Sequence, residues 1–253
     1  MEKQPQFPAE EVSLPSKGLL YPENSPLRSG KIEMKYMTAR EEDILTNANY
    51  IKNGTAIDKL LQSLIVSPIN FDELLLGDKN AIMVAARILG YGAEYEISKI
   101  HPETGMESEG IIDLSKIEDK HLNKDLIIDG KNEFEFTLPT SKIPVTFKLL
   151  THVDENKIDK EIEGMRKLNK ATSGTIRLKY TILSIDGDYE RKSIRDFVDT
   201  QLLARDARAL RKYINEIQPG IDMNVNIEFK DGYVEESVYM PIGINFFWPD
   251  AEL

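Results

Sequence analysis

The side chains equipped for chemistry are few. His101, His121 and His152 are the only histidines among 253 residues, and there is no cysteine. Thiol nucleophiles, thiolate metal sites and disulfides are therefore excluded together, which suits a reducing compartment. Signatures of known chemistry are also missing: no GxSxG elbow, phosphate loop, HExxH helix or Gly-rich dinucleotide turn occurs. Leu76-Gly77-Asp78 and Leu89-Gly90-Tyr91-Gly92 read as helix ends. Paired carboxylates are plentiful, as at Glu10-Glu11, Glu41-Glu42 and Glu235-Glu236, and a glycosidase needs such a pair. It needs them across a cleft with separated pKa values, however, and runs of solvated acids give no sign of that. His101 and His121 flank an acidic segment without the spacing of metal ligands. No residue is therefore assigned a catalytic role and no cofactor is expected; the enzyme alternative is a hydrolase with an unrecognised acidic pair.

Charge and hydropathy narrow the partners. The chain carries 43 acidic and 32 basic residues, a formal charge of -11, and its mean field repels phosphate backbones and anionic lipid. Nucleic acid is not expected as a partner. The local exception is the stripe Arg205, Arg208, Arg211 and Lys212, which reads as the solvated face of a helix. No window approaches the roughly 18 apolar residues of a membrane-spanning helix, and Met1 to Val12 lacks the pattern of a signal peptide, so no membrane insertion is expected. An apolar content of 41% is enough for a core without staples.

The elements that must position any site follow from periodicity. Residues 1–13, with Pro5 and Pro8 among charges, read as a disordered arm, and an α+β body is expected over 14–253. Within it, 14–92 is mainly helical, 93–150 holds β-hairpins, and 151–253 holds helices and a C-terminal hairpin. Leu14 to Pro22 should be extended, because two prolines and a glycine oppose a helix. Lys31 to Met37 alternates like a strand, and Thr38-Ala39-Arg40-Glu41 has capping-box spacing for a helix to about Asn49. Apolar stripes at Ile57, Leu60, Leu61, Leu64 and Ile65, and at Ile82, Ala85, Ala86 and Leu89 after a cap at Asp78, predict two more helices. Period-two patterns place hairpins over 95–114 and 134–149. A charged helix should run from an Asp154 cap to about Lys170, residues 174–185 suit either state, and Ser193 caps a short helix. A helix ending at Pro219-Gly220 precedes a hairpin turning at Asp231-Gly232.

Three stretches are more specific than any of these patterns. Leu14-Pro15-Ser16-Lys17-Gly18-Leu19-Leu20-Tyr21, the run from Gly77-Asp78-Lys79 through Ala86-Arg87-Ile88-Leu89-Gly90-Tyr91-Gly92-Ala93-Glu94-Tyr95, and Pro241-Ile242-Gly243-Ile244-Asn245-Phe246-Phe247-Trp248-Pro249 resemble the T-even-type phage baseplate hub proteins in sequence and in order. The resemblance spans most of the chain. It implies a non-enzymatic hub component or hub-assembly factor, acting through other baseplate or hub proteins in the host cytoplasm during assembly or in the tail baseplate. A homo-oligomer is compatible with it, and a host adaptor unrelated to phage tails is the further alternative.

On that reading function lies in surfaces. Phe246, Phe247 and Trp248 are partner-binding candidates, since adjacent aromatics supply large apolar area, although they could equally cap the chain's own core. As strand residues, Phe246 and Trp248 would share one face and Phe247 the other. Leu14, Pro15, Leu19, Leu20 and Tyr21 are the second set of candidates. The resemblance also implies a zinc ribbon, built from CxxC pairs in two hairpin turns. Here the matching turns place His101, Thr104, Glu228 and Asp231 where thiolates would stand. One imidazole, a hydroxyl and two carboxylates make a poor zinc cage, so the expectation is degenerate ribbon-like hairpins without metal.

Overall fold

The structure is a computed structural model that describes residues 8–166 and 173–247. Strand β1 (Ala9–Ser13) pairs antiparallel with β2 (Lys31–Lys35), Ala9 opposite Lys35 and Ser13 opposite Lys31. The expected arm over 1–13 is thus partly a strand. Backbone pairing orders it, since Val12 is the one side chain in β1 that is not fully exposed. Leu14 to Tyr21 also departs from its expected extended form. It is a series of tight turns in which the N–H groups of Lys17, Leu19 and Tyr21 bond to the carbonyls of Leu14, Ser16 and Gly18. Lys17 (φ 52°) and Gly18 (φ 76°) make those turns, and a Cβ at Gly18 would lie 2.2 Å from the Arg28 carbonyl oxygen.

The helical half follows the apolar stripes. In α1 (Ala39–Leu45) the capping box forms, with the Thr38 amide donating to Glu41 at 3.1 Å. The helix stops before the expected Asn49, and α2 (Ala48–Lys52) starts afresh on an Asn47 cap. Leu60, Leu61 and Leu64 of α3 (Ala56–Leu64) are fully buried. In α4 (Leu76–Tyr91), Asp78 is not the expected cap, because the helix already begins at Leu76; its carboxylate is turned inward to other elements. In α5 (His152–Arg166), likewise, Thr151 precedes the helix, and its amide and hydroxyl donate to Asp154 in the first turn. The expected continuation to Lys170 lies outside the described residues. Residues 174–185 divide between α6 (Ser173–Thr181) and β7 (Ile182–Ile185), the strand being drawn out by pairing with β6 (Pro144–Phe147), which also pairs β5 (Phe134–Thr137). Glu190, and not Ser193, stands at the cap of α7 (Arg191–Thr200), and α8 (Ala204–Ile217) ends before Pro219 as expected.

The four-stranded sheet joins hairpins from distant parts of the chain. Strands β3 (Glu94–Ile100) and β4 (Glu107–Asp113) pair next to β8 (Asn224–Phe229) and β9 (Val234–Tyr239), in the order β3-β4-β8-β9. The sheet is curled. The outer strands would be about 14 Å apart in a flat sheet, yet Lys99 on β3 and Glu235 on β9 form an ion pair of 2.6 Å on the inner face. Gly110 permits the curl, since a Cβ there would meet the Ile227 side chain at 2.5 Å. The chain then closes in α9 (Ile244–Phe247), a helical turn where strand alternation was expected, so Phe246 and Phe247 both point inward. One apolar core connects Leu14 to Phe247 through the three sheets and the helices, making the architecture α+β.

Candidate functional site

The stretches singled out in the sequence meet on α4. At its N-terminal end, the Ser16 amide and hydroxyl donate to the Asp78 carboxylate at 2.9 and 2.7 Å, and the Tyr21 hydroxyl donates to it at 2.7 Å. The Tyr21 oxygen in turn accepts the Leu75 amide at 2.9 Å. Asp78 is wholly buried, and burial pushes its carboxyl above the ordinary range despite the hydrogen bonds that oppose this. Burial, and then the Asp78 charge, also push the Tyr21 phenol well up. Beside this clasp, Gly77 rests on the backbone of the 219–220 turn so closely that a Cβ would sit 1.8 Å from the Pro219 oxygen.

At the other end of α4, the Arg87 Nε donates to the Phe246 carbonyl at 3.1 Å, and its guanidinium lies 4.7 Å from the Tyr91 ring centre and 5.5 Å from that of Tyr95. Burial pushes the Arg87 pKa down. Tyr95 meets Phe246 edge-on at 5.2 Å, and Phe246 meets Phe247 at 5.4 Å. The partner-binding candidates therefore sit mainly inside. Leu14, Pro15, Leu20, Tyr21, Phe246 and Phe247 are buried in the chain's own core and Leu19 is half-buried, while Trp248 lies outside the described residues. An apolar groove of about 580 Å³ runs along the inner face of the curled sheet, lined in part by Tyr95, Ile227, Met240 and Phe246.

The ribbon positions converge only in part. His101 is buried at the β3–β4 turn, where its Nδ1 accepts the amides of Glu103 (3.1 Å) and Thr104 (3.3 Å). The proton of the neutral ring then belongs on Nε2, which lies 3.3 Å from the Asp231 carboxylate, within ion-pair distance but off the line a hydrogen bond needs. Phe229 and Tyr233 pack against the imidazole at 4.6 and 4.8 Å. Thr104 Oγ1 accepts the Met106 amide, and Glu228 is exposed on the outer face in register with Ile111 and Val234. These side chains do not fit zinc. His101 and Asp231 approach each other, but one imidazole nitrogen is taken by amides and the other two positions serve other ends. Among the described residues no group of three or more potential ligands could hold a metal ion.

Sequence reasoning missed a second, partly buried polar cluster around the buried His152. Lys79 on α4 reaches Asp58 on α3 at 2.6 Å and His152 Nδ1 on α5 at 3.2 Å, and His152 Nε2 lies 3.0 Å from the Asn156 amide nitrogen. Burial and then the Lys79 charge push the His152 pKa down, and Phe71 closes over the imidazole edge-on at 4.6 Å. A lone histidine at a helix start carries no sequence signal for this. The carboxylates of Asp78, Glu41 and Asp206 share one pattern: each accepts from groups on other segments, as Asp206 does from the amides of Thr140 and Ser141. The arrangement fixes elements together and leaves these acids already bonded.

No curated protein and no solved structure matches the chain. A family model described as T4 bacteriophage base plate protein matches residues 13–248, which runs through all three stretches up to the terminal aromatic motif. With most of its length covered, the chain belongs to the family of T4-type phage baseplate proteins.

Proposed function

We propose that this protein is a non-enzymatic component or assembly factor of the central hub of a contractile tail, acting through contacts with other baseplate proteins. The family match over 13–248 carries this reading. Two features of the molecule support it. Its buried carboxylates bind backbone amides and hydroxyls that tie segments together, as Asp78 and Asp206 do. Its charge of -11 disfavours nucleic acid and anionic lipid as main partners and leaves protein surfaces as the natural ones. The place of action on this reading is the host cytoplasm during tail assembly, and the tail baseplate if the protein stays in the particle.

The test is capture of the tagged full-length chain from infected cells, with mass spectrometry of the captured proteins and of purified particles. Co-purification with hub proteins is the expected result, and presence or absence in particles separates a component from a transient factor. Capture without any tail protein would refute the reading and favour an unrelated adaptor. Hydrolysis of cell-wall glycan that disappears when one carboxylate is changed would establish the enzyme alternative instead.

A further inference from the structure

Two oppositely charged faces of this chain have matching dimensions. On α8, Arg205, Arg208 and Arg211 are exposed and, among the described residues, make no ion pair or hydrogen bond, while Lys212 beside them has only its helix neighbour Glu216 at 3.5 Å. The stripe spans about 9 Å from Arg205 to Arg211 at the helical rise. On the outer face of the curled sheet the charge is reversed. The register places Glu94 beside Asp113, Glu96 beside Ile111 and then Glu228, and Glu109 one pair further along. Lys230 pairs with Glu109, with Glu96 also near enough to feel its charge, and Lys116 pairs with Asp113, leaving Glu94 and Glu228 without a cation partner and Glu96 without a direct ion pair. Glu96 and Glu228 stand two strands apart in one row, about 9.6 Å. Between and beside them Ile111 (37% exposed) and Val234 (44%) supply apolar ground in the same row, and a cleft of about 380 Å³ lies alongside.

We propose that the outer face of the four-stranded sheet receives α8 of a second copy of this chain. The helix lies across the strands, with its guanidinium groups reaching Glu96, Glu228 and Glu94 and its arginine stems covering Ile111 and Val234. Arginine suits this role because its planar fork pairs with carboxylates two bonds at a time. The contact joins different surfaces of the two copies, so it is either made twice across a two-fold axis in a dimer or propagates head to tail into a ring or a short chain. The net charge of -11 opposes association at long range, but at about 0.1 M salt that repulsion is screened beyond roughly 10 Å while pairs in contact persist.

Sedimentation of the full-length chain tests this at about 0.1 M and about 0.5 M salt. Concentration-dependent self-association at the lower salt, weakened at the higher, is expected. The triple variant R205E/R208E/R211E and the double variant E96K/E228K should each lose it by about tenfold or more, with circular dichroism confirming that both remain folded. Mixed in equal amounts, the two variants regain complementary faces and should form a complex. A wild-type chain that stays monomeric at both salts overturns the proposal, whether or not the sheet face binds an unrelated basic helix. So does self-association that survives both variants, or a mixture that forms no complex.

Discussion

Removing the Asp78 carboxylate should unfasten the N-terminal turns from α4, and the size of the effect follows from what it leaves behind. In Asp78→Ala the Ser16 amide, the Ser16 hydroxyl and the Tyr21 hydroxyl lose their acceptor together in a site closed to water. Each stranded buried donor costs about 1–3 kcal/mol. Relief of burying the carboxylate offsets part of the sum, so the net loss should be about 3–5 kcal/mol, a large share of the roughly 5–15 kcal/mol typical of a folded domain. Asp78→Asn keeps one acceptor oxygen and should lose about 1–2 kcal/mol at neutral pH. Its pH dependence has a definite sign. Because the folded-state value lies above the ordinary 3.8, between those two values the native chain holds the proton that the unfolded chain has released. Wild-type stability linked to this group is therefore greatest below 3.8 and is lost as pH rises through the folded value. The penalty of Asp78→Asn relative to wild type should accordingly grow as pH falls towards 3.8. Urea unfolding followed by circular dichroism at several pH values measures both quantities. A loss below about 1 kcal/mol for Asp78→Ala, or a penalty for Asp78→Asn that shrinks on acidification, would refute the account of the clasp.

Other sites give independent checks. Glu41 behaves oppositely: burial pushes its carboxyl up, but hydrogen bonds from Thr38, Lys35 and Ser63 outweigh this and bring it down to about 2. Its contribution, about 2–3 kcal/mol after allowing for solvent screening, should be whole above 4.5 and vanish as pH falls through about 2; a wild-type advantage over Glu41→Gln that persists below that point would contradict it. Gly77→Ala drives a methyl group against the Pro219 carbonyl and should cost about 1–3 kcal/mol, read as a lowered melting temperature, whereas Gly54→Asn, where an added Cβ meets nothing and Asn tolerates the left-handed backbone, should be close to neutral. Phe246→Ala should cost about 3–5 kcal/mol in thermal or urea unfolding, because the ring fills the core beside Tyr95. Protein purified without added metal should carry far less than one zinc per chain by elemental analysis, and His101→Ala should still lower the melting temperature by removing the imidazole that holds the turn amides.

The elements whose order depends on their own side chains were legible in the sequence. The stripes of α3 and α4, the Thr38 capping box and the alternation of β3, β4, β8 and β9 state their structure locally, because burial on one face imposes a period. The segments that the sequence leaves open or misstates are those whose state is set from elsewhere. β1 exists by pairing with β2, β7 by pairing with β6, and the turns of Leu14 to Tyr21 depend on an acceptor in α4. Asp78 looked like a cap because acids near helix starts usually face solvent; its inward bonds are visible only once residues 62 positions apart are brought together. The terminal aromatics were misread for a related reason. A helical turn and an alternating strand both suit Ile244 to Phe247, and the turn wins by seating both phenylalanines in the core.

This burial changes what the family likeness can be used for. The three stretches that carry it are the ones that fasten α4: Ser16 and Tyr21 from the first meet Asp78 in the second, and Arg87 in the second meets Phe246 in the third. Residues held to such geometry specify a fold, so the likeness informs on architecture more strongly than on any interface. A surface that recognises another tail protein has to be exposed, and most of Leu14 to Tyr21 with Phe246 and Phe247 is not. Exposed ground lies instead on faces such as the arginines of α8 and the outer row of Glu96, Ile111, Glu228 and Val234, where the proposed contact between copies is placed. Substitutions in the two classes should then separate cleanly. Changes in the α4 contacts should lower stability first and assembly only as a consequence, while charge reversals on α8 or the sheet face should leave unfolding almost unmoved and alter association alone.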